Sequence, residues 1–229
     1  MCNESLKNKY RFSFINVTKE VKAKFKDSRC FLIISLNQRA YQGERFVAVL
    51  KTINRFFNGC TIMVADTLQR HTLGIKHHEY DAQKLSEMAK DLGNQWVKDN
   101  DNSIKECLNI EHKISRWNEW KDHKDFQYFY TKVCELYEKD PIYKDLMTRE
   151  TSAFISRIKH DFTYERAQRL CFQYLIEECA AMCLWVQEKC AFQLYPKGLN
   201  SAMSYINRVL IQPNYPELLQ EIAFHVREK

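Results

Sequence analysis

Arg29-Cys30-Phe31-Leu32-Ile33-Ile34-Ser35-Leu36-Asn37-Gln38 is the stretch on which the reading of the fold turns. Five consecutive apolar residues, bounded by a charge on one side and by Ser, Asn and Gln on the other, predict a short strand buried on both faces. A helical pattern follows. From Gly43 to Asn58 it puts Phe46, Val49, Leu50, Ile53 and Phe57 on one face, and Asn58-Gly59 offers a left-handed stop. Cys60 to Ala65 is a second apolar run. Strand, helix and strand within about 35 residues predict a βαβ unit with parallel strands and a right-handed crossover. The carboxyl ends of both strands, at Ser35 and Asp66, then open on one edge of an α/β sheet, where such sheets bind ligands. Ser35 is a candidate nucleophile there, with a helix or turn cap as the alternative. Asp66 either lines the site or caps the turn that follows it.

Working outward, Tyr10 to Thr18 alternates apolar and polar side chains and predicts an edge-like first strand. Asp81 to Asp99 is a polar helix carrying Lys84, Lys90 and Lys98. Residues 104–139 read as one more helix or a pair, broken around Trp117-Asn118-Glu119-Trp120. In that region Glu111-His112 looks like half a metal motif and is better explained as a solvated face. A further region, 141–162, carries Arg149, Arg157, Lys159 and His160. Cys190-Ala-Phe-Gln-Leu-Tyr-Pro is strand-like and breaks at Tyr195-Pro196. Leu199 to Leu210 is a short helix, and a final helix is expected from Pro216 to Lys229.

Composition narrows the function classes. Five Gly and four Pro in 229 residues argue against a long linker, disorder or a turn-rich β-sandwich. With no internal repeat or linker, one domain spanning 1–229 is expected. No run approaches the roughly 20 apolar residues of a membrane span, and the first residues lack the apolar segment of a signal peptide. A soluble, cytoplasmic protein is therefore expected. Nine cysteines without CxxC or finger spacing imply buried reduced thiols, and neither a disulfide framework nor a metal site. The net charge of +6 suggests an anionic partner, RNA being the obvious one.

The segment Tyr164 to Lys189 is the other informative stretch. Cys171 to Val186 is apolar around most of a helix, interrupted by Gln173 and the adjacent Glu177 and Glu178. At least one glutamate should therefore point into protein. Tyr174 and Glu178 lie one turn apart on one face, a phenol–carboxylate pair if that face looks inward and a surface carboxylate if it does not.

Taken together, Ser35 at a strand end, Gly43 opening the next helix, the Asp66-Thr67-Leu68-Gln69-Arg70-His71 turn, Tyr174-x-x-x-Glu178 and Tyr195-Pro196 resemble the tRNA-dependent cyclodipeptide synthases. The resemblance spans about residues 29–210. Gln38 and Tyr195-Pro196 match the branch with a variable residue after the serine and Tyr-Pro at the late site. Ile33 departs from the family, which often has glycine there; a branched side chain should narrow the pocket for the first amino acid. The fold implied is α/β, a Rossmann-like parallel sheet flanked by helices, similar to the catalytic domain of the class I synthetases for tyrosine and tryptophan. Their HIGH and KMSKS signatures are absent, as are Walker and GxGxxG loops, which fits substrates that arrive already activated. Neither ATP nor a metal is expected.

The resemblance further implies a ping-pong reaction. Ser35 takes an aminoacyl group from a first aminoacyl-tRNA, a second one gives a dipeptidyl-enzyme, and its free amine cyclises to a diketopiperazine. Tyr174 and Glu178 would grip the α-ammonium, and Glu178 and Tyr195 would relay a proton. Phe31, Ile33 and Val64 are candidates for the first pocket; residues near Thr151 to Ile155, Gln193 and Lys197 are candidates for the second, with Gln38, Asp66 and Pro196 close by. The tRNA body would meet Lys84, Lys90, Lys98, Arg149, Arg157 or Lys159, with Arg166 and Arg169 also available. A monomer is expected, and neither DNA nor a membrane as partner. The competing readings are a serine hydrolase, which lacks a Gly-x-Ser-x-Gly elbow here, and a tRNA-binding module without acyl transfer.

Overall fold

A computed structural model of the chain describes residues 9–158 and 163–229. Strands β1 (Tyr10–Ile15), β2 (Arg29–Ile34), β3 (Gly59–Val64), β4 (Glu111–Arg116), β5 (Phe192–Pro196) and β6 (Gln220–Glu228) form one sheet in the order β1-β6-β5-β2-β3-β4. Neighbours are parallel except β1, which pairs antiparallel with β6. The helices are α1 (Lys19–Ala23), α2 (Gly43–Phe56), α3 (Arg70–Lys76), α4 (Ala82–Cys107), α5 (Trp117–Lys121), α6 (Phe126–Lys139), α7 (Pro141–Ile155), α8 (Tyr164–Leu184) and α9 (Ser201–Ile206). Gly43 opens α2 with a φ of +52°, a left-handed value that glycine adopts at no steric cost. Asp81 and Asp140 cap α4 and α7 by accepting from Lys84 N (2.7 Å) and Ile142 N (2.8 Å).

The strand period of two divides the core. Phe31 and Ile33 face one layer, where Phe31 stacks on Trp185 at 4.9 Å, amid Trp117, Tyr143 and Ile176 from the α5–α8 region. Cys30, Leu32 and Ile34 face the other layer and pack on Phe46, Val49 and Ile53 of α2 and Trp96 of α4. Helices thus cover both faces of a mostly parallel sheet, the Rossmann-like α/β arrangement. The chain runs from β2 outward to β3 and β4 on one side, and β5 later pairs on the other side of β2. The order therefore reverses between β2 and β5, and beyond their carboxyl ends a parallel sheet leaves a crevice.

The structure corrects three expectations. The segment after Pro216 is not a helix: Gln220–Glu228 is a strand between β1 and β5, and Ile222, Phe224 and Val226 recur every second residue on the α2 side. The region 104–139 contains β4, which is short of apolar residues because it lies at the sheet edge with β3 as its one neighbour. The polar helix does not stop at Asp99 but runs to Cys107, with Trp96 and Ile104 anchored in the core.

Candidate active site

Ser35 follows β2 directly, and Tyr195 is the fourth residue of β5. By alternation Ser35 shares its side of the sheet with Ile33, and Tyr195 shares it with Gln193. Above them lies a cavity of about 470 Å³, walled by Ser35 and Tyr195 from the strand ends, Tyr174 and Glu178 from α8, and Gln69 and His71 from the turn into α3. Ile33 and Gln38 also reach its wall. The structure thus brings together the serine, both tyrosines and the glutamate at the point where the strand order reverses.

Burial governs the charge states there. Glu178 is 8 % exposed, and desolvation pushes its carboxyl up to about 8, reinforced by nearby Glu150 and partly offset by a hydrogen bond from Asn200. Asn200 is held for this contact: its Oδ1 accepts from Met203 N at 2.8 Å as the N-cap of α9, leaving its amide N–H groups free. Glu150 in turn accepts from Ser201 N at 2.9 Å and Ser201 Oγ at 2.5 Å. Burial likewise holds the Tyr174 phenol well above its ordinary range, Glu178 and Tyr195 adding to the effect and a hydrogen bond from Gln69 opposing it. Burial pushes Tyr195 up to about 12; Glu178 adds to this, while hydrogen bonds from Gln38 and Ser35 offset part of it. Gln38 Nε2 lies 3.5 Å from the Tyr195 hydroxyl.

The neighbouring Glu177 is in the opposite state. Its Oε1 accepts from Arg70 Nη1 at 2.9 Å and Trp117 Nε1 at 2.7 Å, and its Oε2 meets Arg70 Nη2 and, at 3.2 Å, His71 Nε2. Burial opposes its ionisation, but His71 and Arg70 outweigh that and hold the carboxyl at about 2. For His71, desolvation is the largest influence and brings the imidazole below its ordinary pKa, with Arg70 contributing and Glu177 opposing. Arg70 also donates to Thr67 O at 2.9 Å, so the Glu177 carboxylate ties the turn after β3 to α8. The sequence by itself assigns no role to Glu177, His71, Glu150 or Asn200. The signal available was the density of polar side chains in Gln69-Arg70-His71, directly after a buried strand.

Several residues expected at the site lie elsewhere. Val64 points to the α2 side because it is out of phase with Ile33 in register. Phe31 is on the correct side but one pleat too deep, under Trp185. Asp66 is 2 % exposed and works as a cap and ion-pair partner: it accepts from Thr67 N (2.8 Å) and Arg116 Nε (2.6 Å). Gln193 is buried below Tyr195 and donates to Leu219 O at 2.8 Å. Pro196 and Lys197 follow Tyr195 but do not line the cavity, and of the stretch near Thr151 to Ile155 only Phe154 does.

The basic candidates are spread out. Lys84, Lys90 and Lys98 are exposed on α4, but at about 100° per residue Lys84 and Lys98 share a side while Lys90 lies roughly 120° from Lys84. Arg149 pairs with Asp145 at 2.7 Å, Arg166 donates to Gly74 O at 3.0 Å, Arg169 is exposed, and Arg157 reaches the cavity rim together with Lys76. Lys159 and His160 lie outside the described residues. Among the described residues no group of three or more His, Cys, Asp or Glu side chains is placed to hold a metal, and no helix is long and apolar enough to cross a membrane.

No protein-family model and no curated protein matches this chain. Solved structures do. A cyclodipeptide synthase from Fluoribacter dumoffii shares 35% identity over 96% of this chain and 99% of its own, with a TM-score of 0.92. One from Candidatus Glomeribacter gigasporarum, bound to Phe-tRNAPhe, superposes with a TM-score of 0.67 at 20% identity, over 90% of this chain and 91% of its own. A Mycobacterium tuberculosis protein, whose structure relates cyclodipeptide synthetases to type I tRNA synthetases, superposes with a TM-score of 0.62 at 10% identity, over 97% and 94%. The last two speak for the fold; the first, at its identity and near-complete coverage, establishes that this chain belongs to the cyclodipeptide synthases, aminoacyltransferases that draw on aminoacyl-tRNA.

Proposed function

We propose that this single catalytic domain builds its cyclic dipeptide on Ser35, from two aminoacyl-tRNAs per cycle, as a member of the Tyr-Pro branch. The observation that carries the reading is the convergence of Ser35, Tyr174, Glu178 and Tyr195 on one cavity where the strand order reverses. The Ser35 hydroxyl attacks the ester carbonyl of the first aminoacyl-tRNA, the tRNA leaves, and the residue remains as a serine ester. Its α-ammonium sits between the Tyr174 hydroxyl and Glu178. In the empty cavity Glu178 carries a proton at neutral pH; an arriving ammonium supplies the missing counter-charge and drives it to the carboxylate. Tyr195, hydrogen-bonded to Ser35, stays protonated and passes a proton between the serine oxygen and the attacking amine.

Both substrates arrive as esters, so neither ATP nor a metal enters the scheme. The basic residues of α4 and the cavity rim take tRNA phosphates. A cytoplasmic monomer, where charged tRNA is at hand, completes the picture. Ile33 on the cavity wall restricts the first amino acid to a small side chain.

The test is incubation with a panel of charged tRNAs, followed by intact-mass and peptide mass spectrometry. The expected result is a one-residue adduct on Ser35 and release of a diketopiperazine, with both lost in Ser35→Ala. Labelling that persists in Ser35→Ala removes Ser35 from the role.

A further inference from the structure

We propose that His71 is the base that takes the proton from the ammonium of the second amino acid before ring closure, and that Glu177 is the positioning residue that orients it. This rests on the Ser35 acyl-enzyme reading above. The geometry has three parts. His71 is on the cavity wall and is the one histidine there among the described residues. Its Nε2 lies 3.2 Å from Glu177 Oε2, and because that carboxylate can only accept, Nε2 carries the hydrogen. Nδ1 is then the bare nitrogen, and it has no hydrogen-bond partner among the described residues. A carboxylate on one ring nitrogen, with the other nitrogen unpartnered, is the arrangement by which an acid residue fixes the tautomer of a general base.

The reaction needs such a group. Ring closure turns the free ammonium of the dipeptidyl-enzyme into an amide N–H, so two protons must leave that nitrogen. His71 Nδ1 takes the first. The freed amine attacks the serine ester carbonyl, the C–N bond forms and the C–O bond to Ser35 breaks. The second proton reaches the departing serine oxygen through Tyr195, and the imidazolium returns its proton to water.

The groups facing His71 are Glu177 and Tyr174 from α8, Arg70 from its own helix and Lys121 from α5. Arg70 and Lys121, with desolvation, keep the imidazole neutral at pH 7, while Glu177 steadies the imidazolium once it forms.

The experiment uses the full-length enzyme and two variants. His71→Gln keeps an N–H donor for Glu177 and removes the basic nitrogen; His71→Ala opens space for added imidazole. With charged tRNAs, both should form the one-residue adduct on Ser35 as wild type does, and both should accumulate a two-residue adduct. Ring closure should slow by about 10²- to 10³-fold, and imidazole should restore it in His71→Ala. The wild-type rate should fall with acid below the ordinary histidine range, and His71→Gln should lack that limb. Ring closure at the wild-type rate in His71→Gln overturns the proposal. So does a stall at the one-residue adduct, or a defect in His71→Ala that imidazole leaves untouched. An absent one-residue adduct in the wild type instead overturns the Ser35 reading.

Discussion

Replacing Glu178 by Gln should stabilise this protein, and increasingly so as the pH rises. The carboxyl has a folded pKa of about 8 against an ordinary value of 4.5. Between those values the folded protein holds a proton that the unfolded chain has released, so stability is lost as pH climbs through the window. At about 1.4 kcal/mol per unit the displacement sets an upper bound of about 5 kcal/mol, and partial hydration of the cavity brings the expected cost to about 2–5 kcal/mol above pH 8. A glutamine has nearly the shape of the protonated acid and never pays that cost. At pH 5 the two proteins should therefore unfold within about 1 kcal/mol of each other. At pH 9 the variant should melt on the order of 5–15 °C higher, for a chain of this size. The assay is thermal unfolding by circular dichroism from pH 5 to 9, with urea titrations at both ends. A melting difference that stays constant across that range, or a variant less stable at pH 9, refutes the desolvation argument. Activity supplies the counterweight: the same variant should accept the first aminoacyl group on Ser35 yet turn over poorly, because an amide cannot become the counter-charge of an ammonium.

Ile33→Ala widens the cavity from below; competition labelling with mixed charged tRNAs should shift the first residue toward larger side chains, at a stability cost of about 2–4 kcal/mol. An unchanged preference removes Ile33 as the size limit. In an ordinary helix Gly→Ala stabilises by up to about 1 kcal/mol, but at Gly93 the added Cβ would sit 2.4 Å from Asp66 Cβ and 2.7 Å from Arg116 Nη2. Gly93→Ala should therefore lower the melting temperature by roughly 5–10 °C, and any increase contradicts the close approach.

What the sequence disclosed followed from how strongly each segment constrains itself. The run Cys30 to Ile34 has no exposed face, so its strand and the helix and strand after it are legible from hydrophobicity alone. The last strand reads as a helix in sequence because Glu221, His225 and Arg227 dilute the alternation of Ile222, Phe224 and Val226, and its pairing partners lie far away in sequence. β4 carries few apolar residues, since it is held by its ladder to β3. Site residues divide in the same way. Ser35 and Tyr195 announce themselves as polar ends of apolar strands. Sequence proximity alone puts Val64 and Phe31 near the site, and the pleat sends one to the far layer and the other a step below the floor.

The two adjacent glutamates show why the remainder could not be read. Consecutive helical residues point about 100° apart, so Glu177 and Glu178 leave α8 toward different surroundings. Glu177 meets Arg70, His71 and Trp117, three donors brought by a turn and a strand end distant in sequence. Glu178 meets a cavity in which the charge acting on it is another carboxylate, Glu150. The same side chain becomes a fixed anion in one position and a proton holder one residue later, with pKa values of about 2 and about 8. Enzymes that separate acid from base work do so by pushing paired groups apart in this manner. Here the division makes Glu177 an anchor, which holds the turn and orients an imidazole. It leaves Glu178 as the group whose charge answers to what enters the cavity.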